Sequence, residues 1–152
     1  MRMRVLSVCV AAFTVALVSA TPSWAQNPGA TRFGIWDNSG NPNNVMTYEA
    51  DGADGMKITI SNPSDPKATW SYVTKFDGVF RPVSGQQNSE TAVEVVSERV
   101  TRILNKRNGV VYQVVMNQLS EDHNTIDNYY VRIDPAGKIT GVSYVKYVRR
   151  KK

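Results

Sequence analysis

Three observations predict an all-β protein, an antiparallel up-and-down meander of about eight or nine strands. Apolar and polar residues alternate with period two over most of the chain beyond residue 45. Asp54-Gly55, Asp77-Gly78, Asn108-Gly109 and Pro135-Ala136-Gly137 each fall between two alternating runs, and Asn-Gly and Asp-Gly supply the positive φ that tight hairpins need. No segment reads as a long helix. Val93 to Leu104 comes nearest, but its density of β-branched residues disfavours one. A sheet of this size must hide its edges, and sequential hairpins do so most economically by closing into a barrel. Alternation alone leaves an open sheet or a sandwich as alternatives.

The chain of 152 residues opens with Met-Arg-Met-Arg, followed by 14 uncharged residues from Val5 to Val18. That run suits the core of a secretory signal and is shorter than the roughly 20 residues of a membrane span. Ser23-Trp24-Ala25 has the small-x-small pattern of a cleavage site, so residues 1–25 are expected to be removed after Ala25 and the product to be periplasmic or secreted. Cys9 is the only cysteine and leaves with the signal, so the mature chain has neither a disulfide nor a thiolate metal site. Arg2 and Arg4 are not adjacent, which excludes a twin-arginine signal. No later run is apolar enough for a membrane span.

Residues 26–44 are rich in Asn, Gly, Pro and Ser and read as a flexible lead-in that contains Gly34-Ile35-Trp36. The barrel domain is placed at 45–148. Lys57 to Ser61 alternates cleanly, and Thr69 to Phe76 puts Trp70, Tyr72, Thr74 and Phe76 on one face. Further strands are expected over Thr91 to Ser97, Arg99 to Lys106, Val110 to Leu119, Thr125 to Ile133 and Lys138 to Arg149, the last two carrying Tyr129 and Val131, then Val142, Tyr144 and Val148. Residues 149–152 form a basic tail, Arg149-Arg150-Lys151-Lys152. Up to Val148, residues 26 onward carry 12 Lys and Arg against 13 Asp and Glu. The basic excess is therefore tail and signal, which argues against a nucleic-acid-binding face.

Chemistry is sparse. His123, the only histidine, lies in a polar turn, Ser120-Glu121-Asp122-His123-Asn124, and a triad drawn through it has no geometric support. One histidine and no mature cysteine make a transition-metal site improbable. Asp51-Gly52-Ala53-Asp54-Gly55 lacks the spacing and closing Glu of a calcium loop and reads as a turn. Glu94 with Glu98, or Asp77 with Glu49, could be paired carboxylates, but nothing in the sequence brings them together. No catalytic residue, metal ligand or cofactor is assigned, and the chain is not expected to be an enzyme. The aromatic face suits a barrel interior, either filled or lining a cavity for one small ligand. Trp36, Trp70, Tyr72, Phe76, Tyr112 and Tyr130 are the candidate lining for a small hydrophobic or amphipathic molecule. Arg149, Arg150, Lys151 and Lys152 are candidates for contact with an anionic envelope surface, the alternative being a solubilising end.

Several short motifs recur in one order: Gly34-Ile35-Trp36, Met46-Thr47-Tyr48-Glu49-Ala50, Asp54-Gly55-Met56-Lys57-Ile58-Thr59 and Trp70-Ser71-Tyr72. Lys75-Phe76-Asp77-Gly78 with Pro82-Val83-Ser84-Gly85 follows, then Lys106 to Val111 and Leu119 to Thr125. Together they resemble a family of small exported bacterial lipocalin-like proteins over residues 33–148. The resemblance implies a calycin-type barrel and carries over no mechanism. Gly34-x-Trp36 is similar to the lipocalin motif in which the Trp plugs one end of the barrel. The chain departs from the family in its Asp122-His123-Asn124 turn, which lacks the usual Gly, and in its basic tail. The function expected is non-covalent ligand binding, with an envelope contact through the outer sheet face or the tail as the alternative.

Overall fold

A computed structural model describes residues 27–151. The expected signal, its cleavage site, Cys9 and Lys152 lie outside the described residues. Ten strands make one antiparallel sheet: β1 (Gly34–Asn38), β2 (Val45–Asp51), β3 (Gly55–Ser61), β4 (Trp70–Thr74), β5 (Arg81–Pro82), β6 (Ser89–Ser97), β7 (Val100–Arg107), β8 (Val110–Leu119), β9 (Thr125–Ile133) and β10 (Ile139–Arg149). Their order is β4-β3-β2-β1-β10-β9-β8-β7-β6-β5. The meander is sequential except that β1 pairs with β10, which folds the sheet back on itself. The remaining gap is spanned by a bridge: Ser71 N–H donates to Ser84 O at 3.0 Å and Ser84 N–H to Ser71 O at 2.8 Å. Gly85 permits this approach. Its φ is +85°, and a Cβ there would lie 2.7 Å from Thr69 O.

Ten strands exceed the expected eight or nine; those that alternation did not assign are β1 and the two-residue β5. Gly34–Asn38 is a full member of the barrel, and the lead-in boundary at residue 44 cuts through the fold. Its Asn and Pro residues build the β1–β2 connection, where Asn38 Oδ1 accepts from Gly40 N–H and Asn41 N–H. The hairpin signals form as expected at Asn108-Gly109, a two-residue turn with both φ positive (50° and 81°). Opposite charges face each other across the strands at Glu90–Lys106 (3.0 Å) and Glu94–Arg102, which supports the register of β6 on β7.

Strand parity decides what lies inside. Met46, Tyr48, Met56, Ile58 and Tyr72 point inward from β2 to β4 and join Trp36 in the core. From the other side come Val93, Ile103, Val115, Leu119, Ile126 and Tyr147. The apolar residues that mark the strand periods of β9 and β10 face outward instead. Val142 is 70 % exposed and Tyr144 50 %, while their inward neighbours are Ser143, Val145 and Tyr147.

Candidate ligand-binding cavity

One end of the barrel is plugged. Ala30–Arg32 forms a single 3-10 turn that carries Arg32 into the interior, where it is 1 % exposed. Trp36 is fully buried (0 %) and its indole N–H donates to Arg32 O at 2.8 Å. Arg149 lies over the Trp36 ring at 4.1 Å and donates to three carbonyls: Phe33 O and Thr31 O at 2.6 Å each, and His123 O at 2.8 Å. A cation over an indole face, holding three chain segments at once, closes this end. Arg150 forms an ion pair with Asp37, whose carboxyl it holds below the usual range. Arg149 and Arg150 are therefore not part of a free tail: β10 extends through Arg149, and both arginines are engaged with the barrel. Phe76, at φ 59°, is buried here too, with its Cζ 2.8 Å from where a Cβ on Gly29 would sit. Trp36 and Phe76 thus belong to the plug and not to the ligand wall.

Above the plug the interior opens into a cavity of about 360 Å³. It gathers four of the six predicted lining residues: Trp70, Tyr72, Tyr112 and Tyr130. Trp70 and Tyr72 point the same way from β4, their rings nearly parallel (19°) with centroids 6.2 Å apart. Met46 and Ile60 extend this apolar wall. Tyr112 arrives by a different route. Asn105 pairs with Gln113 but Lys106 with Val111, so Tyr112 is the extra residue of a β-bulge, which re-aims it to the cavity beside Gln113. Sequence parity assigns it to the opposite face.

The facing wall is polar, and the aromatic pattern gave no hint of it. Thr91 Oγ1 donates to Asn105 Oδ1 at 2.9 Å, and Asn105 Nδ2 donates to Gln113 Oε1 at 2.9 Å, a ladder across β6, β7 and β8. Deeper, a second pair, Asn117 and Asn128, is joined to Arg32. The signal was present as inward-parity polar residues, legible only once the register is known. At the mouth stand Lys106, Arg107 and Arg132. Glu90, the only carboxylate lining the cavity, pairs with Lys106, and no ion pair forms at Arg107 or Arg132 among the described residues. Arg107 instead lies 5.3 Å from the Tyr112 ring centroid. The mouth is therefore electropositive.

The remaining sequence candidates occupy turns or ion pairs. His123 sits at φ 56° in the β9 approach turn, and Asp51 to Gly55 makes the β2–β3 turn. Asp77 is held by Arg81 at 2.7 Å and Glu94 by Arg102. Among the described residues no three His, Cys, Asp or Glu side chains cluster to hold a metal ion. No helix of the described residues is long and apolar enough to cross a membrane.

No protein-family model matches the chain, and no curated protein is similar to it. Among solved structures it is similar to a point mutant of the fluorescent protein UnaG, at 13 % identity and a TM-score of 0.57 over 81 % of this chain and 99 % of that one. At that identity the likeness shows the fold alone: this chain is a calycin-type β-barrel.

Proposed function

We propose that the protein is an exported barrel that binds one small amphipathic anion without covalent chemistry. The observation that carries this reading is the cavity itself, closed below by the Trp36 plug and open above, with a stacked Trp70–Tyr72 face and two mouth guanidiniums lacking carboxylate partners. Small-ligand sites are concave and mostly apolar, with a few placed polar groups, and barrel mouths are favoured positions for them. A flat apolar body lies on the Trp70–Tyr72 wall, and Arg107 and Arg132 take the negative end at the mouth, where a charge keeps part of its hydration. Residues 1–25 serve as the export signal of this reading. An intact mass beginning at Gln26, for protein recovered outside the cytoplasm, is the expected result.

Tryptophan fluorescence tests the cavity. After removal of residues 1–25 the chain has two tryptophans, Trp36 in the plug and Trp70 in the wall. Titration with an aromatic carboxylate is expected to quench saturably, and the response is expected to vanish in Trp70→Phe. Tyr72→Ala together with Trp70→Ala should abolish affinity. Unchanged affinity in that double variant would sink the pocket assignment.

A second reading, contact with another macromolecule, rests on the exposed apolar stripe of β9 and β10, with Tyr129 and Tyr144 packed at 5.3 Å and Val142 beside them. Charged substitutions there that leave ligand binding intact but abolish envelope association would favour it.

A further inference from the structure

The direction of the buried hydrogen-bond chain says what the inner end of the ligand must be. Arg32 can only donate. Its Nε donates to Asn117 Oδ1 at 3.2 Å and its Nη2 to Arg99 O at 2.9 Å. With its oxygen taken by Arg32, Asn117 must turn its amide nitrogen toward the barrel interior. That nitrogen donates to Asn128 Oδ1 at 2.8 Å and to Tyr48 Oη at 3.2 Å. Asn128 is oriented in turn, its Nδ2 donating to Tyr130 Oη at 3.1 Å. Each amide has one orientation available, and the polarity set by a buried guanidinium is passed across β8 and β9 without a break.

The chain ends on phenols that accept. A hydroxyl that accepts still has one proton to give. Tyr48 donates to no protein acceptor among the described residues, and Tyr72, 8 % exposed, has no side-chain hydrogen bond among them; Tyr130 is bonded to Tyr147, whose own proton goes to Asn44 Oδ1 at 3.3 Å. Tyr48, Tyr72 and Tyr130 line the cavity. No fully enclosed side-chain nitrogen or oxygen lacks a partner among the described residues, so the Tyr72 hydroxyl opens onto cavity space. Burial pushes the Tyr48 and Tyr72 phenols up, and both keep their protons through the physiological range.

We infer that the cavity floor offers unpaired phenol protons, and that the ligand is an aromatic carboxylate carrying a neutral hydrogen-bond acceptor, a carbonyl, at the end opposite its charge. This inference rests on the reading of the cavity as a ligand site and deepens it. The ends are assigned by the cost of burying charge. Neutral phenols match a neutral carbonyl, whereas a carboxylate at the floor would be stripped of water while Arg107 and Arg132 at the mouth stay uncompensated. An inner end that donates, or that accepts nothing, would leave the hydroxyl protons without partners in an enclosed space, a loss that buried polar sites discriminate against.

The test uses two probes of the same length, 4-acetylbenzoate and 4-ethylbenzoate, which differ only in a carbonyl against a methylene in the group opposite the carboxylate. Titrated into the mature chain by calorimetry, the ketone is expected to bind about tenfold more tightly, the value of one buried hydrogen bond. That gap is expected to close in Tyr48→Phe with Tyr72→Phe. It should persist in Arg132→Gln, which weakens both probes alike. Equal affinity for the two probes in the unmodified protein overturns the donor floor and leaves the ligand cavity standing. Equal weakening of both probes by the Tyr→Phe changes means the carboxylate goes down, which also overturns the inference. Binding of neither probe removes the cavity reading and the inference with it.

Discussion

The arc of the barrel from β1 to β4 and the arc from β6 to β10 are both built of antiparallel strands but fill their inner faces differently. In the first, apolar side chains go in: Trp36, Met46, Tyr48, Met56, Ile58, Trp70 and Tyr72, with Lys57 and Glu49 outside. In the second, a polar series (Thr91, Asn105, Gln113, Asn117 and Asn128) goes in among apolar neighbours such as Val93, Val115, Leu119 and Ile126, while Tyr129, Val142 and Tyr144 face out. A polar interior is tolerated because the groups pair in two sets, Thr91–Asn105–Gln113 and Asn117–Asn128, so little hydrogen-bonding capacity is stranded. The contrast teaches that both arcs share the core, the first adding a flat wall and the second the polar groups a ligand must match.

Substitutions can break that division, beginning with the plug. Trp36→Ala should cost about 3–5 kcal/mol, because it empties the largest core site and removes the surface on which Arg149 lies. Urea denaturation measures it, and a loss under about 1 kcal/mol would mean the plug is not the keystone proposed. Next comes Asn117→Leu in the polar arc. Leaving the buried Arg32 Nε without its acceptor should cost about 3 kcal/mol despite the added apolar volume. A neutral result would show that the Asn117–Asn128 pair is dispensable for stability. Asn105→Val, in the upper set and facing the open cavity, should cost about 1 kcal/mol or less while changing ligand affinity. Smallest is Val142→Thr on the outer face, expected within about 0.5 kcal/mol by thermal melting.

The arcs also separate under pH. In the apolar arc burial raises the Tyr48 and Tyr72 phenols, and in the polar arc that of Tyr147. A raised phenol favours the neutral form when folded, so its contribution is complete below the ordinary value of about 10 and is lost as pH rises toward the folded value. Phenolate absorbance from these tyrosines should appear together with unfolding and not before it. At the acid side, hydrogen bonds from Ser120 and Asn124 hold Asp122 down to about 2, and Arg81 holds Asp77 lower still. Depressed carboxyls stabilise above the unfolded value of about 4 and stop doing so as pH falls toward 2. Melting temperature should therefore fall through that window, less steeply in Asp122→Asn.

Particular residues show what was legible in advance. Trp70, Tyr72 and Tyr130 were within reach because an aromatic at alternate positions of a predicted strand has only two faces to choose between. Tyr112 lines the cavity through a bulge, which alternation does not display. Trp36 and Phe76 carry the same aromatic signal as the wall but close the barrel end, because height along the barrel depends on strand tilt and stagger. Arg149 and Arg150 looked like a tail because chain ends are commonly free. Their partners, Trp36 and Asp37, lie more than a hundred residues earlier.

Taken by itself, the sequence determined most of the strands, the Asn108-Gly109 hairpin turn and the all-β class, because period-two alternation and positive-φ turn residues act over neighbouring positions. Closure through β1 and β10, the plug, the polar ladder and the donor direction of the cavity floor were decided only in three dimensions. Each depends on register between strands far apart in the chain, and a shift of one residue in that register exchanges the two faces of a strand.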